Sequence, residues 1–186
     1  MNSRCATYID SRRTKFFCGA LFHCLLLFAF CFLFLACAGL RGESQLIRPI
    51  DETGLQHLLK QSRGKVVLLN FWATWCEPCV EEFSALMKIA REFRPRGVEI
   101  ILVAIEEPEA IAQKVKPFLR AQGVTFRTYY KKTRDDEVFI NAIDRNWRGA
   151  IPATFIYDAN GVLIKKFIAA QSFETFVAAL RSLIKK

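Results

Sequence analysis

Phe71-Trp72-Ala73-Thr74-Trp75-Cys76-Glu77-Pro78-Cys79 is the stretch on which the reading of this chain turns. It joins two segments of opposite period. Upstream, Val66-Val67-Leu68-Leu69-Asn70-Phe71 is a nearly continuous apolar run of strand length, suited to a strand covered on both faces. Downstream, Phe83, Leu86, Met87, Ala90 and Phe93 recur at spacings of three and four, which predicts an amphipathic helix over 77–94. Pro95 and Gly97 end it. Two cysteines at i and i+3 of a helix start bring their sulfurs within disulfide reach on one face. Unpaired N–H groups and the helix dipole favour a thiolate there, and thiolate is the attacking species in thiol–disulfide exchange. Cys76, at the turn, is expected to be the exposed attacking thiol, and Cys79, one turn in, the shielded resolving thiol. Pro78 stiffens the loop and removes a backbone donor.

A C-x-x-C pair is also half of a zinc site. Structural zinc takes four ligands, from a second pair or added histidines. Of the seven cysteines, five (5, 18, 24, 31 and 37) lie in the first forty residues, and the only histidine after them, His57, sits among leucines. No metal is therefore expected. A purely structural bridge is weak as well, because so small a loop restricts the unfolded chain little.

Outward from this stretch the pattern alternates. Leu55, Leu58 and Leu59 mark a helix across 52–62. Val98 to Ile105 reads as a second buried strand, 109–121 as a helix, 124–130 as a strand and 135–145 as a shorter helix. After Pro152, a strand from Ala153 to Tyr157 meets the turn Asp158-Ala159-Asn160-Gly161 and a partner strand at 162–168. Phe173, Phe176, Val177 and Leu180 open a closing amphipathic helix. Crossover units followed by a hairpin and a helix imply an α/β domain over 51–186, with a central mixed β-sheet flanked by helices on both faces.

The chain has 186 residues, 52% hydrophobic and 24% charged, and the apolar excess is concentrated at the start. Residues 1–15 are polar and basic. Residues 16–40 are apolar apart from His23, long enough to cross a bilayer as a helix. This segment is expected to be a signal sequence or membrane anchor. Its length favours a retained anchor, while Ala36-Cys37-Ala38 fits signal cleavage and Leu35-Ala36-Cys37 fits lipidation of Cys37. Each route leaves the basic end in the cytoplasm and delivers the remainder outside. Residues 41–50 read as a linker. Of the net charge of +9, residues 1–40 carry +3, leaving a mildly basic domain without the dense Lys/Arg stripe of a nucleic-acid footprint. Lys131-Lys132-Thr133-Arg134 is followed at once by Asp135-Asp136-Glu137 and reads as a solvated loop.

The stretch 71–79 resembles the active site of the thioredoxin superfamily, in particular its membrane-tethered, extracytoplasmic TlpA/ResA-like branch. Gly149-Ala150-Ile151-Pro152-Ala153-Thr154-Phe155 resembles the cis-proline segment of the same superfamily. The resemblance implies a thioredoxin fold, a cis Pro152 lying against the cysteines, and a substrate groove lined by Ile151 and Pro152. It implies no cofactor beyond a redox-active Cys76–Cys79 disulfide. Thioredoxin itself carries a buried Asp where this chain has Asn70, which cannot titrate. Branch members with Asn there carry a Glu three residues after the second Cys, and Glu82 occupies that place. On a helix it shares a face with Cys79, and a partly buried carboxylate of raised pKa could relay the resolving thiol's proton. The branch usually has Pro soon after that Glu; here Ser84 stands in its place, so a straighter helix is expected.

Strong oxidants of the superfamily carry His between the cysteines. Glu77 opposes thiolate formation instead, which favours a reductase over a disulfide-donating oxidase. Trp72 reads as packing, and Trp75 as part of the apolar surface that docks partners. Tyr129, Tyr130, Phe139 and Trp147 read first as core packing and second as a substrate-selecting surface. The expected function is reduction of disulfides in exported proteins, apocytochrome c among them, with electrons from a membrane thiol donor on the extracytoplasmic side of the bacterial inner membrane. A thiol peroxidase and a copper chaperone of the same fold are the other readings. Neither the context of Cys76 nor the histidine content favours them.

Overall fold

The computed structural model of the chain describes residues 46–133 and 135–184. The expected n-region, the anchor or signal segment and most of the linker lie outside the described residues. Among the described residues no helix is long and apolar enough to cross a membrane.

Among the described residues the main elements follow in order. Strand β1 (Ile47–Ile50) leads to helix α1 (Glu52–Gln61), β2 (Val66–Trp72), α2 (Glu77–Phe93) and β3 (Val98–Ala104). Helix α3 covers 108–121 as Pro108–Ala110, a π-helical Ile111–Val115 and Lys116–Ala121. Then come β4 (Thr128–Lys131), α4 (Asp136–Ile143), β5 (Ala153–Tyr157), β6 (Leu163–Phe167) and α5 (Phe173–Arg181). One six-stranded sheet runs in the order β1-β4-β3-β2-β5-β6. The first four strands are parallel, while β5 is antiparallel to both β2 and β6.

Strand β2 sits inside the sheet and is buried along its whole length. Its residues alternate between two apolar layers, as a pleated strand must. Leu68 and Trp72 join Phe83, Leu86, Val115, Leu119, Phe176 and Leu180 beneath α2, α3 and α5. Val67, Leu69 and Phe71 join Leu55, Phe139, Trp147 and Phe155 beneath α1 and α4. The expected mixed sheet with helices on both faces is what the chain forms.

Two expectations are corrected. Residues 47–50 do not belong to a linker. They form an edge strand, with Ile47 paired to Thr128 and Ile50 to Lys131, and both isoleucines are buried. Four residues with Arg48 and Pro49 exposed between them give too short a period to read, and Pro is tolerated because the strand is an edge. Strand β4 begins at Thr128, not 124, because Gln122, Gly123 and Val124 spend their N–H groups closing α3 onto Phe118, Arg120 and Leu119. Helix α3 widens to a π-turn ahead of Pro117, which has no N–H to return to the preceding turn.

Candidate active site

The site stands where β2 ends. The parallel ladder runs from Val66 opposite Val98 to Trp72 opposite Ala104, and the Ile105 N–H still reaches the Trp72 carbonyl at 2.8 Å. Beyond it the chain turns through Ala73, Thr74 and Trp75 into α2. Cys76 is the N-cap of that helix, with extended backbone, and its sulfur accepts the Cys79 N–H at 3.3 Å. The two sulfurs form a disulfide of 2.06 Å. The bond thus lies against the positive end of a 17-residue helix. Cys79 is fully buried and Cys76 only 7% exposed. The order of accessibility is as expected, but Cys76 is less open than an exposed thiol would be. Glu77 and Pro78, the pair between them, are both exposed.

Trp75 is 65% exposed, while Trp72 is buried against Phe83 and Phe118. Beside Trp75 lies a cavity of about 460 Å³ reaching Ile105, Glu109 and Lys114. A larger one, about 570 Å³, is lined by Val67 and Tyr157, at the opposite end of β2 from the cysteines.

The antiparallel register pairs Phe71 with Ala153 and Asn70 with Thr154. This brings the residues before Ala153 alongside the end of β2. The Ile151–Pro152 bond there is cis, as the resemblance implies. Ile151 is half-buried and packs against both apolar layers. Ahead of it, Gly149 adopts φ +81°, a backbone conformation that strains any side chain, and a Cβ would also push Ile140 Cδ1, 2.8 Å away, aside. Trp147 lies over Phe71 at 4.8 Å between ring centroids and donates from Nε1 to the Ala150 carbonyl at 2.8 Å. Phe139 and Trp147 are therefore core, and Tyr129 and Tyr130 half-buried.

Glu82 lies in α2, three residues past Cys79, and is 4% exposed. Its Oε1 accepts the Gln171 N–H at 3.1 Å, and its Oε2 accepts from Asn70 Nδ2 at 3.4 Å. Asn70 Nδ2 also donates to Thr154 Oγ1 at 2.9 Å. Burial raises the Glu82 pKa from 4.5 to about 7, and the two hydrogen bonds hold it down against that. Helix α2 is unbroken through Ser84.

Sequence reasoning missed three partners of the site. Thr154 and Gln171 reach Asn70 and Glu82 across 84 and 89 residues. Glu106 accepts from Thr74 N at 2.6 Å and from Thr74 Oγ1 at 2.5 Å. The only signal for Glu106 was the parallel pairing of β2 with β3, which brings it level with the loop.

Fold and Cys pair together define a domain of the thioredoxin superfamily with a disulfide-bonded C-x-x-C pair at a helix start. Residues 45–166 match the model of the AhpC/TSA family, and the chain belongs to that family. It is 31% identical over 135 residues to the thiol-disulfide oxidoreductase ResA of Bacillus subtilis, covering 73% of this chain and 70% of that protein. To ResA of Geobacillus kaustophilus it is 38% identical over 111 residues, covering 60% of this chain and 59% of the relative's length. Among solved structures, a thiol:disulfide interchange protein of Chlorobium tepidum superposes with a TM-score of 0.57 at 23% identity, covering 68% of this chain and 84% of that one.

Proposed function

We propose that the chain is an extracytoplasmic thiol–disulfide reductase acting on disulfides of exported partner proteins. The observation that carries this is the Cys76–Cys79 bond at the start of α2, with one sulfur at the surface side and the other sealed behind it. In the reduced protein the Cys76 thiolate attacks one sulfur of the partner's disulfide, forming a mixed disulfide and releasing the partner's first thiolate. Cys79 then loses its proton and attacks Cys76 Sγ, which releases the second thiolate. The partner leaves as a dithiol and this chain as a disulfide.

Glu82 is the proton acceptor for Cys79 in this reading. A carboxyl group of pKa about 7 is divided between its two forms near neutrality, as a general base at that pH should be. Trp75 and the segment Ile151–Pro152 flank the pair and would seat the partner's chain. The leader 16–40 would hold the domain at the outer face of the membrane, where a membrane thiol donor re-reduces the pair. Apocytochrome c is the substrate class that the ResA-like resemblance suggests. Family membership alone leaves a thiol peroxidase in view. The residues before Cys76 lack the Pro-x-x-x-Thr/Ser-x-x-Cys context of that chemistry, and peroxide consumption tests it directly.

The reduction potential of the Cys76–Cys79 couple decides direction. A value near or below about −270 mV is expected, the region of thioredoxin. A value near −120 mV, the oxidising end of the superfamily, would make the chain a disulfide donor despite Glu77.

A further inference from the structure

Backbone pairing between β2 and β3 stops where the Cys loop begins, two residues short of Thr74. Its last bond is the Ile105 N–H to the Trp72 carbonyl. The next rung is made by a side chain. Glu106, only 8% exposed, places Oε1 where a strand carbonyl would stand, and there it takes both the N–H and the hydroxyl of Thr74. Thr74 is itself half-buried, and Glu106 supplies the acceptor that its N–H lacks once the strand pairing has ended. Between this rung and α2 the loop carries one further backbone bond, from the Cys76 N–H to the Ala73 carbonyl at 3.3 Å.

We propose that Glu106 is a positioning residue for Cys76: its paired hydrogen bonds to Thr74 hold the Cys loop in shape once the Cys76–Cys79 bond opens, and so set the balance between the reduced and oxidised protein. The inference rests on the reading that the pair cycles between disulfide and dithiol. While the disulfide is closed, the covalent bridge itself fixes Cys76 against Cys79. When it opens, the Cys76 sulfur keeps its place on the Cys79 N–H only if the loop ahead of it holds. Because the closed bridge holds the loop in the shape that makes both bonds, while the open loop can leave it, the bonds to Glu106 stabilise the oxidised form more than the reduced one. A purely structural residue would stabilise both equally and leave their ratio alone.

The test is equilibration of the full-length chain with glutathione. One disulfide and two glutathione thiols exchange with one dithiol and one glutathione disulfide. Differential alkylation and mass spectrometry of the peptide bearing Cys76 and Cys79 keep the other cysteines out of the measurement. Glu106→Gln keeps an acceptor oxygen while replacing the carboxylate, and Glu106→Ala removes both. The Ala variant is expected to be about tenfold easier to reduce than the Gln variant, a rise of about 30 mV for a two-electron couple. Agreement of the two within twofold overturns the proposal. Should Glu106→Ala not fold, Thr74→Val decides: it removes the hydroxyl bond alone, a shift of about threefold toward the dithiol is expected, and no shift overturns the proposal. If the wild-type pair does not exchange with glutathione or dithiothreitol at any ratio, the thiol–disulfide reading itself fails, whatever the variants do.

Discussion

A carboxyl group sealed behind a disulfide destabilises the fold when it ionises, and Glu82 makes that cost measurable. Its folded pKa of about 7 lies above the ordinary 4.5, so the folded chain holds the proton more tightly than the unfolded one. The stabilisation is complete below about pH 4.5 and is lost as pH rises through 7. The difference corresponds to up to about 3 kcal/mol. Urea unfolding of the oxidised protein between pH 4.5 and 8 is expected to show this decline, and Glu82→Gln should abolish most of it. Equal slopes for the two proteins would mean that Glu82 is not held in its protonated form by burial. At this scale the sequence was readable where chemistry is local. Cys76 and Cys79 stand at helical spacing and are bonded to each other in the structure, and Glu82, which the family resemblance singled out, is buried on the same helix. Asn70 was placed as a residue that cannot titrate. Its bond to Thr154, and the Gln171 N–H on Glu82, were not readable. One depends on the register of β5 against β2, and the other comes from a backbone group, which carries no residue type to read.

Strands and helices with strong periods were read nearly to the residue: β2, α2, β3 and β5 depart from expectation by one position or less. The segment between β4 and β5 was harder. Its aromatic residues read first as core and second as a docking surface, and composition alone does not settle which. The fold assigns Trp147 by wedging it against Phe71 of β2 and Phe155 of β5, at 4.8 and 5.4 Å between ring centroids. Its indole N–H fastens Ala150, one residue before the cis Ile151–Pro152 bond. Trp147 thus ties the segment carrying Pro152 to the strand that carries the cysteines. Replacing it with Ala is expected to cost about 3–5 kcal/mol of unfolding free energy. Trp147→Phe keeps a ring in the layer and forfeits the hydrogen bond to Ala150, a bond worth about 1 kcal/mol, with some further loss from the smaller ring. Denaturant midpoints of the two variants check the order. If Trp147→Phe is as damaging as Trp147→Ala, the hydrogen bond and not the packing is the larger contribution.

At the scale of the whole molecule, the sheet begins earlier than its sequence announces. Strand β1 lies at one end of the order, separated from β2 by two strands. Its contribution is to close an edge. It buries Ile47 and Ile50, each only 6% exposed, and supplies carbonyls to β4 through the Thr128 N–H on Leu46 at 2.6 Å and the Lys132 N–H on Ile50 at 2.8 Å. Without it, β4 becomes a bare edge that carries Tyr129 and Tyr130. A chain starting at residue 41 and one starting at residue 51 separate these contributions from everything before them. Burial of the two isoleucines alone is worth about 3–6 kcal/mol, an upper estimate because the unfolded chain already covers part of that surface. The shorter chain is therefore expected to unfold at distinctly lower urea concentration. Its Cys76–Cys79 potential should stay within about 10 mV of the longer one, because β4 and β3 stand between the lost strand and the site. A large shift in potential would show that the sheet edge and the Cys loop are energetically coupled. Equal stability would show that residues 46–50 are dispensable to the fold, as the linker reading of 41–50 requires.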